Sequence, residues 1–348
     1  MDHSHLDHSR VSESEIIKGI YGNPESLMKM HPRLSDLGIN AVFARKSALT
    51  TDLYDQLRHD SIKIFIEFPL LNGKEYLKDH PEAWPINEKG EKAPPADWFM
   101  GICVTDSGFI QSKRDELEDF LGKNEVDGVW LDYLHWHAQF ETPEPILPET
   151  CFCNRCINLF KSYSELEIPK GSTAYQASFI LKNHDKEWRK WRASIITNVV
   201  REFRDILKKN QENSLLGLYY CPWYPHEYDS ALYRTLGLDM QSLDSLADVL
   251  TPMVYHQKMG RSPFWVKEYI DWISDKTEEW GTGTEIWPIV QAHNDPGIIT
   301  PEEFRSVMEY GLSGNSSGVM MFSVYSLTDD SLKVVEMKDL YRQFRVKN

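Results

Sequence analysis

The sequence predicts an α/β fold closed as a (β/α)8 TIM barrel with extended loops after strands 3 and 4. Three observations carry this expectation. Eight short β-rich apolar runs recur along the chain, and an amphipathic or charged stretch follows nearly every one, as parallel strands with crossover helices require. The length of 348 residues suits a closed barrel, which commonly takes roughly 200 to over 400 residues. The first run also lacks the G-x-G-x-x-G turn that seats a dinucleotide on an open doubly wound sheet.

In chain order the strand runs are Ile-Lys-Gly-Ile-Tyr-Gly at 17–22, Asn-Ala-Val-Phe-Ala-Arg at 40–45 and Lys-Ile-Phe-Ile-Glu-Phe at 63–68. Next come Gly-Val-Trp-Leu-Asp-Tyr at 128–133, Leu-Leu-Gly-Leu-Tyr-Tyr at 215–220 and Val-Leu-Thr-Pro-Met-Val-Tyr at 249–255. Ile-Trp-Pro-Ile-Val-Gln-Ala at 286–292 and Gly-Val-Met-Met-Phe-Ser-Val at 318–324 complete the set. Helices are expected over 25–37, 51–60, 107–123, 187–209, 230–247, 263–279, 301–310 and 331–344. The fourth is the clearest, because Trp188, Trp191, Ile195, Ile196, Val199, Val200 and Phe203 form one apolar stripe opposite Arg and Lys.

Lys and Arg number 38 against 53 Asp and Glu, a formal net charge of −15, which repels phosphate backbones and anionic membrane surfaces. Nucleic acid and membrane are not expected partners. No run of about 18 apolar residues could span a bilayer, so the chain reads as soluble, either cytoplasmic or exported with a signal removed. Residues 1–14, polar and rich in His (His3, His5, His8), read as a disordered leader, and 15–348 as a single (β/α)8 barrel catalytic domain.

Two connections exceed the few-residue loops usual in α/β units: about 40 residues after the third run and about 50 after the fourth. Long loops on the C-terminal face of a barrel carry function. Both are rich in Pro and aromatics, with Trp84, Trp98 and Phe99 in the first and Trp136 and Phe140 in the second. Flat rings complement the apolar C–H faces of sugars.

The strand ends carry polar groups that are costly to bury without a purpose. Arg45 ends the second strand, Glu67 the third, Asp132 the fourth and Tyr219 the fifth; Tyr255 and His256 end the sixth, Gln291 and His293 the seventh, and Tyr325 follows the eighth. Together with His135, Trp136 and His137 they are expected to bind a polyhydroxylated ligand; the blander alternative is a ring of hydrogen bonds capping the core. Asp132 is the first catalytic candidate, since a carboxylate directly after an apolar strand lies partly desolvated at the barrel mouth, where its pKa can be tuned.

Glycoside hydrolysis uses two carboxyl groups; Glu67 and Glu141 are the candidates for the second, with Asp295, beyond the seventh strand, a weaker choice. Glu67 has an alternative role as ion-pair partner of Arg45, and Glu141 as solvated loop charge. The His135/His137 pair lacks further ligands for a catalytic metal, and no G-x-S-x-G elbow points to a Ser nucleophile. No organic cofactor is expected.

Four of the five cysteines form a set: Cys151, Cys153 and Cys156 in a C-x-C-x-x-C knuckle, with Cys103 before the third helix. Four thiolates suit a closed, tetrahedral structural Zn(II) site, which would tie the two long loops together. The alternatives are unligated thiols or a disulfide.

The segment 103–160 resembles glycoside hydrolase family 42, the β-galactosidases, in which a Cys before the third helix joins a C-x-C-x-x-C-x-x-x-F knuckle to hold zinc. The matching residues are Cys103, Cys151, Cys153, Cys156 and Phe160. That family ends its fourth strand in Asn-Glu and supplies a Glu from its seventh; here the fourth gives Leu-Asp-Tyr and the seventh Ile-Val-Gln-Ala-His. The run from Asp127 to Tyr133 and the phrase from Leu250 to Tyr255 are similar to glycoside-hydrolase-like barrels with an Asp-Gly-(apolar)-x-Leu/Phe-Asp-Tyr/Phe fourth strand. This resemblance spans nearly the whole chain after residue 15. It implies a glycosidase with Asp132 in the matching acid position.

The leading expectation is thus a glycoside hydrolase that cleaves an oligo- or polysaccharide by carboxylate acid/base chemistry. The alternatives are a catalytically inactive carbohydrate-binding barrel, or a carbohydrate lyase or isomerase that uses Tyr and His as proton carriers.

Overall fold

The computed structural model describes residues 15–343. The expected leader, with His3, His5 and His8, lies outside the described residues, as does Phe344 at the end of the last expected helix. The strands are β1 (Ile17–Tyr21), β2 (Ala41–Arg45), β3 (Lys63–Pro69), β4 (Gly128–Asp132), β5 (Leu215–Tyr220), β6 (Val249–Val254), β7 (Glu285–Ile286), β8 (Ile289–Gln291) and β9 (Gly318–Phe322). Each of β1 to β5 pairs in parallel with the next, as does β5 with β6. Both β7 and β8 pair with β6, so they are two pieces of one stave. β9 pairs with β8 and returns to β1, closing an eight-stave parallel barrel.

The seventh stave breaks at Trp287 and Pro288 because proline has no N–H to give the ladder; the Pro288 carbonyl still accepts from Met320 N at 3.0 Å. Aromatic rings fill the barrel interior. Phe43 stacks on Phe65 with centroids 4.7 Å apart, and Trp130 stacks on Trp287 at 5.5 Å. Trp130 Nε1 donates to Thr251 Oγ1 at 2.8 Å, satisfying the one polar atom of a buried indole. Gly217 makes room for that indole: a Cβ there would lie 2.0 Å from Trp130 Cε2.

Most helices fall where the periodicity puts them, including Asp185–Asn210, whose Trp188, Trp191, Ile196, Val199, Val200 and Phe203 are buried. Two expected helices are broken. The first splits into Glu25–Met30 and a 3-10 turn Leu34–Leu37, because Pro32 disfavours helical geometry in the residue before it. The fifth becomes Glu227–Arg234 and Met240–Asp244, separated by Gly237 at φ 71°.

The long connection after β4 contains two helices that the pattern did not single out, Asn154–Ser164 and Thr173–Asn183. Glu149 fastens it to the helix layer by ion pairs to Arg189 and to Arg234, the latter at 2.7 Å. Among the described residues no helix is long and apolar enough to cross a membrane.

Candidate active site

Side chains alternate along a strand, so a residue two positions beyond an interior ring also points into the barrel. Tyr21, Arg45, Glu67, Asp132, Tyr219 and Met253 each stand two residues past an interior position: Gly19, Phe43, Phe65, Trp130, Gly217 and Thr251. All but Glu67, which lies behind Tyr21 and Arg45, line a cleft of about 370 Å3 at the C-terminal mouth, which Asn72, Trp98, Tyr133, Glu141, Tyr255, Lys258 and Phe322 complete. A smaller enclosed lobe of about 30 Å3 shares Trp98, Asp132, Tyr133, Glu141, Tyr219 and Met253 with the cleft.

Glu67 is buried and held on both sides, accepting from Tyr21 Oη and, at 3.2 Å on each oxygen, from Arg45 Nε. Burial, and then the Glu67 charge, push the Tyr21 phenol well above its ordinary value, so it stays a donor. Asp132 is only partly exposed, and burial followed by the Glu67 charge drives its carboxyl well above the usual range. The Tyr133 amide opposes this by donating to Asp132 Oδ1 at 2.7 Å. That bond accompanies a backbone turn in which Tyr133 adopts φ 55°, a left-handed conformation costly for a bulky residue. Glu141 faces the same cleft; burial raises its pKa, and Lys258 works the other way.

The structure thus brings together Arg45, Asp132, Glu141, Tyr219 and Tyr255 around the cleft, with Glu67 behind Arg45, and His135 at the lobe. His135 donates through Nδ1–H to Trp136 O at 2.8 Å, and burial holds its pKa down to about 4. His293 packs edge-on against two cleft walls, Tyr255 and Phe322, and burial with the nearby Lys258 lowers its pKa to about 4.

Other expected rim residues are committed elsewhere. His137 staples the first long loop, with Gly101 N donating to Nδ1 at 3.1 Å and Nε2 donating to Pro94 O at 2.6 Å. Trp136 is fully buried under the Arg192 guanidinium, 4.9 Å from its ring, and donates to Arg192 O. His256 turns into the helix layer, its Nε2 2.8 Å from Glu303 Oε1. Gln291 spends its amide on backbone: it accepts from Gln257 N and Lys258 N and donates to His293 O and Asp295 O. Tyr325, in a short helix after β9, is 57% exposed and apart from the residues lining the cleft.

Tyr21 and Lys258 are cleft residues that the strand-end reading missed. Strand alternation could have found Tyr21, which ends β1 in the inward phase. Lys258 sits in a loop with no such signal and lies 4.7 Å from the Trp98 ring centroid.

The sulfurs of Cys103, Cys151, Cys153 and Cys156 lie within 4.8 Å of one another. Cys103 Sγ is 3.4 Å from Cys156 Sγ and 3.7 Å from Cys153 Sγ. Tetrahedral Zn–S bonds of about 2.3 Å demand sulfurs about 3.8 Å apart, so the donor set fits a metal ion. Ile86 N and Cys156 N also donate to Cys151 Sγ and Cys153 Sγ.

A closed parallel barrel with an acidic cleft at its C-terminal mouth is an architecture on which glycoside hydrolases are built. Solved structures of that class share this fold. The glycoside hydrolase domain of PgaB (BpsB) from Bordetella bronchiseptica superposes with a TM-score of 0.68 at 10% identity, over 96% of this chain and 100% of that one. The GH42 β-galactosidase Gan42B from G. stearothermophilus gives 0.66 at 12% identity, over 96% of this chain and 58% of that one. The catalytic domain of β-amylase from Paenibacillus polymyxa gives 0.62 at 11% identity, over 95% and 100%. The chain therefore spans little more than half of the β-galactosidase. No protein-family model and no curated protein sequence matches it.

Proposed function

We propose that the protein is a glycoside hydrolase acting on an oligo- or polysaccharide, with Asp132 and Glu141 as its two carboxyl groups. One observation carries this reading: both acids line the same cleft and its lobe, and burial favours the protonated form of each. A carboxyl that keeps its proton near the working pH can deliver it to the leaving oxygen, while a second, ionised carboxyl attacks the anomeric carbon or draws a proton from water. Asp132, raised by both burial and the Glu67 charge, suits the proton donor. Glu141, whose ionised form Lys258 favours, suits the base or nucleophile.

Glu67 acts behind them, its lone pairs committed to Tyr21 and Arg45. Trp98, Tyr133, Tyr219 and Tyr255 offer ring faces and hydroxyls to a sugar. The shared barrel fold supports the class of reaction. In this reading the four cysteines hold a structural Zn(II), which leaves no open position for chemistry and ties the loop after β3 to the loop after β4. Residues 15–348 serve as one catalytic barrel.

The test is hydrolysis of a panel of aryl glycosides and oligosaccharides, in both anomeric forms, by wild type, Asp132→Asn and Glu141→Gln. Wild-type turnover that falls by about 10²-fold or more in both variants, with ligand binding retained, is the expected result. Turnover untouched by either change would move the chemistry elsewhere. Sugar binding without turnover would favour a non-catalytic barrel.

A further inference from the structure

Asp132 and Glu141 also border the smaller lobe, whose remaining lining the proposed hydrolysis leaves without a role. The side chains that line the lobe and not the cleft are Phe99, Leu134, His135, Phe140, Cys221 and Leu238, all buried. At about 30 Å3 it has room for about two water-sized groups. Ordered water needs two to four polar partners, and apart from the groups shared with the cleft this lining offers little besides His135. His135 is the polar side chain of that set: its Nδ1–H donates to Trp136 O at 2.8 Å, and Nε2 is its other ring nitrogen. With the proton on Nδ1, the neutral ring leaves Nε2 as an acceptor.

We propose that the lobe is a specificity pocket for a methyl-terminated ring substituent, either the acetyl group of an acetamido sugar or the C6 methyl of a 6-deoxy sugar. The inference rests on the carbohydrate reading of the cleft and adds the substrate class. A hydroxymethyl group placed against Leu134, Phe140, Cys221 and Leu238 would shed its water there with little to replace it. A buried methyl gains binding worth about fourfold in affinity. His135 separates the two sources, because an acetamido N–H can donate to Nε2 and a 6-deoxy carbon cannot. Burial keeps the imidazole neutral down to pH about 4, so the acceptor persists across the ordinary range.

The experiment is binding of matched monosaccharides to the wild-type protein by ligand-observed NMR titration: N-acetylglucosamine against glucose, N-acetylgalactosamine against galactose, and D-fucose against galactose. The expected result is tighter binding, by about fourfold or more, of the methyl-bearing member of at least one pair. Preference in the acetamido pairs identifies the first source, and preference for D-fucose the second. Cys221→Met fills the lobe and is expected to erase the preference, whereas Cys221→Ala keeps it, with thermal melts confirming that each variant folds.

Equal binding within every pair, or no binding at all, overturns the inference, as does a preference that survives Cys221→Met in folded protein. The wild-type comparison decides even if that variant does not fold. The two readings fail separately. Hydrolysis of plain sugars without a methyl preference removes the specificity pocket alone, and a methyl preference without hydrolysis of any substrate removes the hydrolase alone.

Discussion

Arg45 and Glu67 are direct partners across the β2–β3 pairing, and their side chains meet inside the barrel mouth with Nε 3.2 Å from both carboxylate oxygens. The arginine is 56% exposed and the glutamate side chain 0%, so the pair bridges the cleft and the closed interior. The Glu67 charge raises the pKa of the Asp132 carboxyl, and Arg45 opposes it.

Removing that charge should change the acidity of Asp132. In Glu67→Gln the Asp132 pKa is expected to fall, so a proton donor at this position is lost at lower pH. The alkaline limb of the pH–kcat/KM profile then moves to more acidic pH. An unmoved limb would show that Glu67 does not tune the acid. Arg45→Met instead leaves Glu67 with one partner, and a loss of stability of about 1–3 kcal/mol is expected in urea unfolding.

Asp132 should be a liability to stability. Its folded-state pKa is raised, so above the ordinary carboxylate range the unfolded chain binds fewer protons than the folded one, and stability falls as pH rises towards the folded pKa. Asp132→Asn is expected to be more stable than wild type near pH 7, by about 1 kcal/mol or more. The advantage should shrink to nothing below about pH 4, as thermal melts across that range can show.

Histidines act in the opposite sense. His135 and His293 have folded pKa values lowered to about 4 from an ordinary value of about 6.5. Between those two values the unfolded chain binds more protons, and stability is lost as the pH falls. Both ring nitrogens of His293 are buried without partners among the described residues, so His293→Phe keeps the ring contacts and removes the penalty. Its melting temperature is expected to exceed that of wild type at pH 5 by more than at pH 7.5. An equal gain at both would exclude the titration.

Metal content follows from the cysteine cluster. Purified protein is expected to carry about one zinc per chain, and Cys156→Ser to lose it. Limited proteolysis should then cut first in the loops after β3 and β4, whose link has gone. Full zinc retention in the variant would reject the site.

Gly217→Ala probes the barrel core. Its new Cβ would collide with the Trp130 ring, which Phe43, Phe65 and Trp287 surround. A loss of about 3 kcal/mol or more is expected, read as a lowered urea midpoint or as insoluble protein. Near-wild-type stability would mean that Trp130 can move aside.

The sequence by itself determined the eight staves, their order and their parallel sense, because each run pairs β-rich composition with a following amphipathic helix and parallel neighbours need such crossovers. It also determined the cysteine knuckle, whose spacing is local, and the placing of Asp132 at a strand end. Only the tertiary structure decided which way each end residue faces. Tyr219 and Tyr255 look inward, whereas His256 meets Glu303 in the helix layer.

Neighbouring residues on a strand face opposite sides, and barrel closure sets the phase. Gln291 and His137 were legible as polar groups near the mouth, yet their bonds go to loop backbone that folds back from distant sequence. Pro288 was visible in the seventh run, but the two-piece stave around it depended on how β6 and β9 pair on either side. Alternation is written in local sequence; the partner that uses each side chain is chosen by the closed ring.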